Sequence, residues 1–193
     1  MKLLIAGDSF AVDYSKYNNI EYKGWPNLLA ETINVDNVAQ AGVSQYSILK
    51  QIEKIHPLEY DKIIVSVTSP NRIFCRQHPI HTSGIHENCD LIYNDIDRFS
   101  LFNSKLKTAK NWFKYFFDEE YSVDIYNLIT DRIHFLLQNT DYILISHNTT
   151  PVKVEDIFNF EELWKYNNGL VNHYNEQGNQ TVYKTLLDNF INK

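Results

Sequence analysis

Lys2-Leu3-Leu4-Ile5-Ala6-Gly7-Asp8-Ser9-Phe10 opens the chain, and its reading decides the fold. An apolar run of this length, stopped by a turn signal, predicts a fully buried strand. Gly7-Asp8-Ser9 then falls at the carboxyl end of that strand. In open α/β sheets, ligands bind in the crevice outside that edge. A serine hydroxyl there, on a loop feeding a helix, is placed to act as a nucleophile. Its backbone N–H can face a developing negative charge. The same residues also suit a plainer role, with Ser9 capping the next helix and Asp8 making the turn.

Downstream, the polar stretch 13–23 reads as a loop. Gly24-Trp25-Pro26 starts a helix with proline in its first turn, and Leu28, Leu29 and Ile33 fall on one face. Residues 35–39 read as a second strand and 40–44 as a turn. Ser44 caps a helix in which Ile48, Ile52 and Ile55 recur at helical spacing, and Pro57 ends it. Residues 61–68 are a third strand, apolar enough to be covered on both faces.

From 73 to about 120 the pattern breaks into His, Asn, Asp and aromatic residues. We read this part as an insertion or lid over the sheet edge, with a helix around 106–117. A helix from 122, a fourth strand at 141–146 and a last helix bearing Val182, Leu186, Leu187 and Phe190 complete the pattern. The alternation predicts a single domain over residues 1–193. Its fold class is α/β, a three-layer α/β/α sandwich around a flavodoxin-like parallel sheet of order 2-1-3-4 or one strand wider.

Apolar residues make up 44% of the chain and aromatic residues 14%, which excludes a disordered polymer. No apolar stretch approaches the roughly 20 residues of a membrane helix. The few apolar residues after Lys2 are too short for a signal-peptide core, so a cytoplasmic protein is expected. A formal net charge of −6 argues against a nucleic-acid partner, because phosphate neutralisation needs a basic surface. Cys75 and Cys89 do not make a disulfide framework, and free thiols are expected.

In a parallel sheet, all the loops that follow strands lie at one edge, so distant residues converge there. Ser9 follows the first strand, Gly42 the second and Asn71 the third, while His173 precedes the last helix. A serine with a histidine base makes a nucleophile. Gly42 can offer its N–H and Asn71 its side-chain amide to an oxyanion.

These positions resemble the GDSL/SGNH hydrolase superfamily. Gly7-Asp8-Ser9-Phe10 is similar to the first block, with Phe10 in place of the usual Leu. Asn37-Val38-Ala39-Gln40-Ala41-Gly42 is similar to the second block. Ser69-Pro70-Asn71-Arg72 stands where the third reads Gly-x-Asn-Asp. Asn172-His173-Tyr174-Asn175-Glu176-Gln177-Gly178-Asn179 resembles the fifth.

The resemblance implies a Ser9 nucleophile, a His173 base and an oxyanion hole of Ser9, Gly42 and Asn71. It also implies hydrolysis of a small-molecule ester or acylated carbohydrate, without metal or cofactor. One departure stands out: Leu170 occupies the position of the Asp that normally lies three residues before the histidine. Neutralising that group in the serine-protease triad costs about 10⁴-fold in rate. Ser9 and His173 are therefore expected to act as a dyad, or with another acid such as Asp156, Glu161 or Glu162. The alternative is a catalytically impaired member that serves as a binding or structural module.

Cys75, His78, His81, His86 and Cys89 invite a metal reading. Their spacings are irregular and no Cys-x-x-Cys pair is present, so no metal site is expected. A polar insertion loop, with some histidines lining the cleft, is the expectation. Arg72 and Arg76 are expected to pair with nearby acids, and the cluster around Trp112 to pack core or lid. His147, just past the fourth strand, is the second candidate for the base.

Overall fold

The computed structural model describes residues 1–16, 20–93, 96, 103–147, 157–167, 169 and 173–193. Its strands are β1 (Lys2–Gly7), β2 (Asn34–Asn37), β3 (Lys62–Val67), β4 (Arg72–Ile73), β5 (Leu91–Ile92), β6 (Tyr142–Ser146) and β7 (Ile157–Asn159). The helices are α1 (Trp25–Ala30), α2 (Gln45–Glu53), α3 (Ser104–Phe116), α4 (Glu119–Leu137), α5 (Glu161–Tyr166) and α6 (Glu176–Leu186). The last of these runs into a π-helical turn, Leu187–Ile191. Five strands form one parallel sheet of order β2-β1-β3-β6-β7, while β4 and β5 pair separately as an antiparallel ribbon. This is the wider of the two expected sheets. Its fifth strand, β7, lies in the 147–168 connection where no strand was expected.

Alternation along the strands divides the core in two. Leu3, Ile5, Ile64 and Ile145 pack with Trp25 and Leu29 of α1, Val182 and Leu186 of α6, and Phe190. Leu4, Ala6, Ile63, Val65, Val67 and Leu144 pack with Ile48 and Ile52 of α2 and with Tyr126, Ile133 and Leu137 of α4. Helices thus cover both faces, as near-continuous apolar parallel strands require. No helix among the described residues is long and apolar enough to cross a membrane.

Local chemistry sets the helix ends. Ser44 accepts a hydrogen bond from the N–H of Ser47 at the start of α2, and Asn175 accepts one from Gly178 at the start of α6. α4 starts three residues before the expected 122, because Asp118 accepts from the N–H of Tyr121 and so caps the helix there. Glu119 and Glu120 then sit in its first turn, where the helix dipole favours negative charge.

The insertion over 73–120 contains β5, most of the ribbon's turn and α3. Phe113 and Leu106 of α3 are buried against Ile96. Strand order reverses at β1, with β2 on one side and β3 on the other. The crevice at that reversal is where doubly wound sheets bind ligands.

Candidate active site

β1 ends at Gly7, held on both sides by one side chain. Gln51 of α2 accepts from the Gly7 N–H at 2.8 Å and donates to its carbonyl at 3.1 Å. Gly7 has φ of +148°, and a Cβ there would lie 2.6 Å from the Cβ and carbonyl oxygen of Ser66. Only glycine lets β1 approach β3 this closely while turning out of the sheet.

Asp8 follows and is buried. Its Oδ1 accepts from the Phe10 N–H at 3.1 Å and the Ser66 hydroxyl at 3.0 Å. Burial pushes its pKa up to about 6, against the opposing pull of the Arg72 charge and of hydrogen bonds from Phe10, Ser66 and Thr68. The residue expected as a turn former is therefore also a buried acid at the crevice.

Ser9 is half-buried at the tip of a turn closed by the Ala11 N–H on the Asp8 carbonyl at 3.1 Å. The following carbonyls are also tied. The Trp25 indole donates to Phe10 O at 2.7 Å and the Asn37 amide donates to Ala11 O at 2.8 Å. Among the described residues, neither the hydroxyl nor the N–H of Ser9 makes a hydrogen bond.

His173 reaches the same place from the other end of the chain. It is 6% exposed, and its ring centroid is 4.8 Å from that of Phe10, the neighbour of Ser9, and 6.1 Å from that of Tyr14. No hydrogen bond joins Ser9 to His173. Of the acids considered for the histidine, Glu161 and Glu162 engage Lys165 at 3.1 and 2.7 Å. Asp156 and Leu170 lie outside the described residues.

His147 packs against the same phenylalanine. Its ring stacks on Phe10 at 4.6 Å and on Phe160 at 5.8 Å, and Nδ1 hydrogen-bonds the Tyr174 hydroxyl at 2.7 Å. Burial, and then the neighbouring His173, push its pKa down to about 3, so the ring is neutral. A fully buried, stacked imidazole suits orientation and packing better than contact with substrate. Its place directly after β6 was the signal for it in the sequence.

Gly42 adopts a left-handed φ of +74°. Its carbonyl accepts from Arg72 Nη1 and from the Asp90 N–H, both at 2.8 Å, while its own N–H donates to nothing among the described residues. A Cβ at this position would lie 2.7 Å from the Cβ of Cys89.

Asn71 lies on the loop between β3 and β4. It is exposed and lines a 470 Å³ cleft with Ser69, Tyr93, Phe113 and Lys114, and Ser9, Gly42 and His173 are not among that cleft's walls. Arg72 turns inward instead, between Gly42 and the charge of Asp8. It also walls an apolar 430 Å³ cavity with Tyr46, Phe74, Trp112, Phe116 and Ile125. Ser9 and His173 do not line that cavity either. Sequence reasoning thus undervalued Arg72, for which the only signal was a basic residue on the connection that follows β3.

No protein-family model matches the chain, and no curated protein sequence matches it.

Proposed function

We propose that this protein is a serine ester hydrolase of the GDSL/SGNH type. The observation that carries the reading is the convergence on Phe10. An uncommitted serine just past the carboxyl end of β1 stands beside a ring that packs directly against His173. The N–H groups of Ser9 and Gly42 support an oxyanion hole, since each is a donor with no competing partner among the described residues.

In this reading, His173 takes the Ser9 proton as Oγ attacks the ester carbonyl. The tetrahedral oxyanion rests on the two N–H groups. His173 then returns the proton to the departing alcohol, leaving an acyl-enzyme. Water, deprotonated by the same imidazole, releases the acid and restores Ser9. Apo active sites often hold the base off the nucleophile until substrate binds, which accommodates the missing Ser9–His173 hydrogen bond. Asn71 lines an exposed cleft that does not include Ser9, so the two N–H groups carry the oxyanion in this reading.

The test is labelling with a fluorophosphonate probe, together with turnover of p-nitrophenyl acetate. Wild type is expected to label and turn over, and Ser9→Ala to do neither. A folded wild type that neither labels nor turns over would instead make the domain a binding or structural module. The absent Ser9–His173 hydrogen bond favours that second reading.

A further inference from the structure

The ribbon of β4 and β5 is joined by residues 74–90, whose regular structure is a single 3₁₀ turn, Gly84–His86. The buried residues of that segment are His78, Cys89 and Asp90, none of them an aliphatic or aromatic core residue. Asp90 is satisfied by the N–H groups of Ser44 and Cys75 and by the Ser47 hydroxyl, at 2.6, 2.7 and 2.7 Å. His78 and Cys89 meet a third residue, His81. One ligand atom from each of the three lies within 4.8 Å of the others. The His78 and His81 rings are 4.6 Å apart, and His86 stands 5.5 Å from His81.

We propose that His78, His81 and Cys89 bind one Zn²⁺ ion, which fastens this segment over the loop carrying Gly42. The irregular spacing argued against a metal along the chain, but the ribbon folds the segment back so that its two ends meet. Two imidazoles and a thiolate are a borderline-soft donor set that suits zinc. Calcium and magnesium require oxygen donors, and this cluster offers none.

The site's place is informative. Cys89 sits against Gly42, and the Asp90 N–H donates to the Gly42 carbonyl, so a metal here braces the loop directly. Binding has a definite local cost. His78 Nδ1 accepts from the N–H groups of Ile80 and His81 at 3.3 and 3.1 Å. Both bonds are given up whichever ring nitrogen takes the metal. Coordination through Nδ1 uses its lone pair, and coordination through Nε2 moves the ring proton to Nδ1. Three coordinate bonds replace these two long hydrogen bonds, and the Cys89 thiol loses its proton to solvent.

The experiment uses full-length protein, freed of any affinity tag and stripped with chelator, then titrated with Zn²⁺ and with Co²⁺ as a spectroscopic substitute. The expected result is one ion per chain, a higher Tm with Zn²⁺, and a thiolate-to-cobalt charge-transfer band. Cys89→Ser should lose that band. His81→Ala, at a half-buried position, should bind at least about tenfold more weakly while keeping its far-UV circular dichroism. Cys75→Ser should bind as wild type does, because the Cys75 thiol is turned to the Gln77 carbonyl. A folded wild type without the band, or unchanged affinity in both Cys89→Ser and His81→Ala, would overturn the proposal. Ser9→Ala should bind zinc normally, so this outcome is read separately from the esterase test.

Discussion

Two regions of this molecule depart from the usual rule of burial, in opposite directions. At the carboxyl edge of the sheet, Asp8, Ser66, Thr68, His147 and His173 are polar and buried. In the insertion and beside it, Phe74, Trp112, Tyr115, Phe116 and Tyr121 are large, apolar or aromatic, and exposed. A buried polar group destabilises a fold unless it is hydrogen-bonded, so Asp8 persists here on the bonds built around it, while His147 keeps one bond at Nδ1 and leaves Nε2 without a partner among the described residues. The second makes no such demand, since an exposed aromatic ring needs no partner. The difference teaches where shape is enforced. Around Asp8 each atom has a position to keep, whereas along α3 the outer rings are held by little besides their own helix.

The contrast breaks most decisively at Gly7. Gly7→Ala combines a backbone conformation disfavoured for L-residues with a Cβ placed 2.6 Å from Ser66. Strain and overpacking together should cost about 4 kcal/mol, enough to leave much of the chain unfolded. Urea denaturation measures this, and a loss under about 1 kcal/mol would mean the sheet edge is far more compliant than its packing indicates.

Next in size is the titration of Asp8. Its pKa is raised on folding, from 3.8 to about 6, so the native state holds the proton longer than the unfolded chain. Stability is therefore unaffected below the unfolded pKa and falls as pH rises through about 6, by about 3 kcal/mol in all. Asp8→Asn cannot titrate. The gap between variant and wild type should widen by that amount, in the variant's favour, between pH 3.5 and pH 7. Parallel stability curves would sink the assignment.

His147 works in the opposite sense. Its pKa falls on folding from 6.5 to about 3, so the unfolded chain takes up the proton first. The native state loses stability as pH drops below 6.5, by about 2 kcal/mol at pH 5. His147→Phe should remove that slope, although it also leaves the Tyr174 hydroxyl without its 2.7 Å partner. In wild type the Asp8 and His147 slopes oppose each other between pH 4 and 6. A double variant should therefore show a pH profile closer to wild type than either single variant.

The same contrast explains what was legible in the sequence. β1 and β3 announced themselves because Leu3 through Ala6 and Ile63 through Val65 must be apolar when helices cover both faces. The order 2-1-3 followed from the doubly wound pattern that strand–helix alternation implies. β7 did not announce itself, because Ile157-Phe158-Asn159 is a short edge strand with one covered neighbour and no apolar run.

At the site, Ser9, Gly42 and His173 could be named from their positions at strand and helix ends. The burial of Asp8 and the inward turn of Arg72 could not, since each depends on which way a loop folds. The meeting of His78, His81 and Cys89 was hidden for the same reason. Spacing along an irregular loop carries no period from which to infer a shared face.

The smallest expected effect belongs to Phe116, which shares its helix with a residue of large effect. Phe113 and Phe116 of α3 lie three residues apart, and the first is 7% exposed while the second is 74% exposed. Phe113 packs with Ile96 and Leu106, so Phe113→Ala should cost about 3 kcal/mol by leaving a cavity. Phe116 has no such enclosure, and Phe116→Ala should change stability by less than about 0.5 kcal/mol. Thermal or urea unfolding of the two variants side by side reads the difference. Equal and large losses would mean that the outer face of α3 is covered in solution, and that the insertion is as strictly packed as the sheet edge. Unequal losses keep the two regions apart, with a buried polar edge on one side and an apolar face open to water on the other.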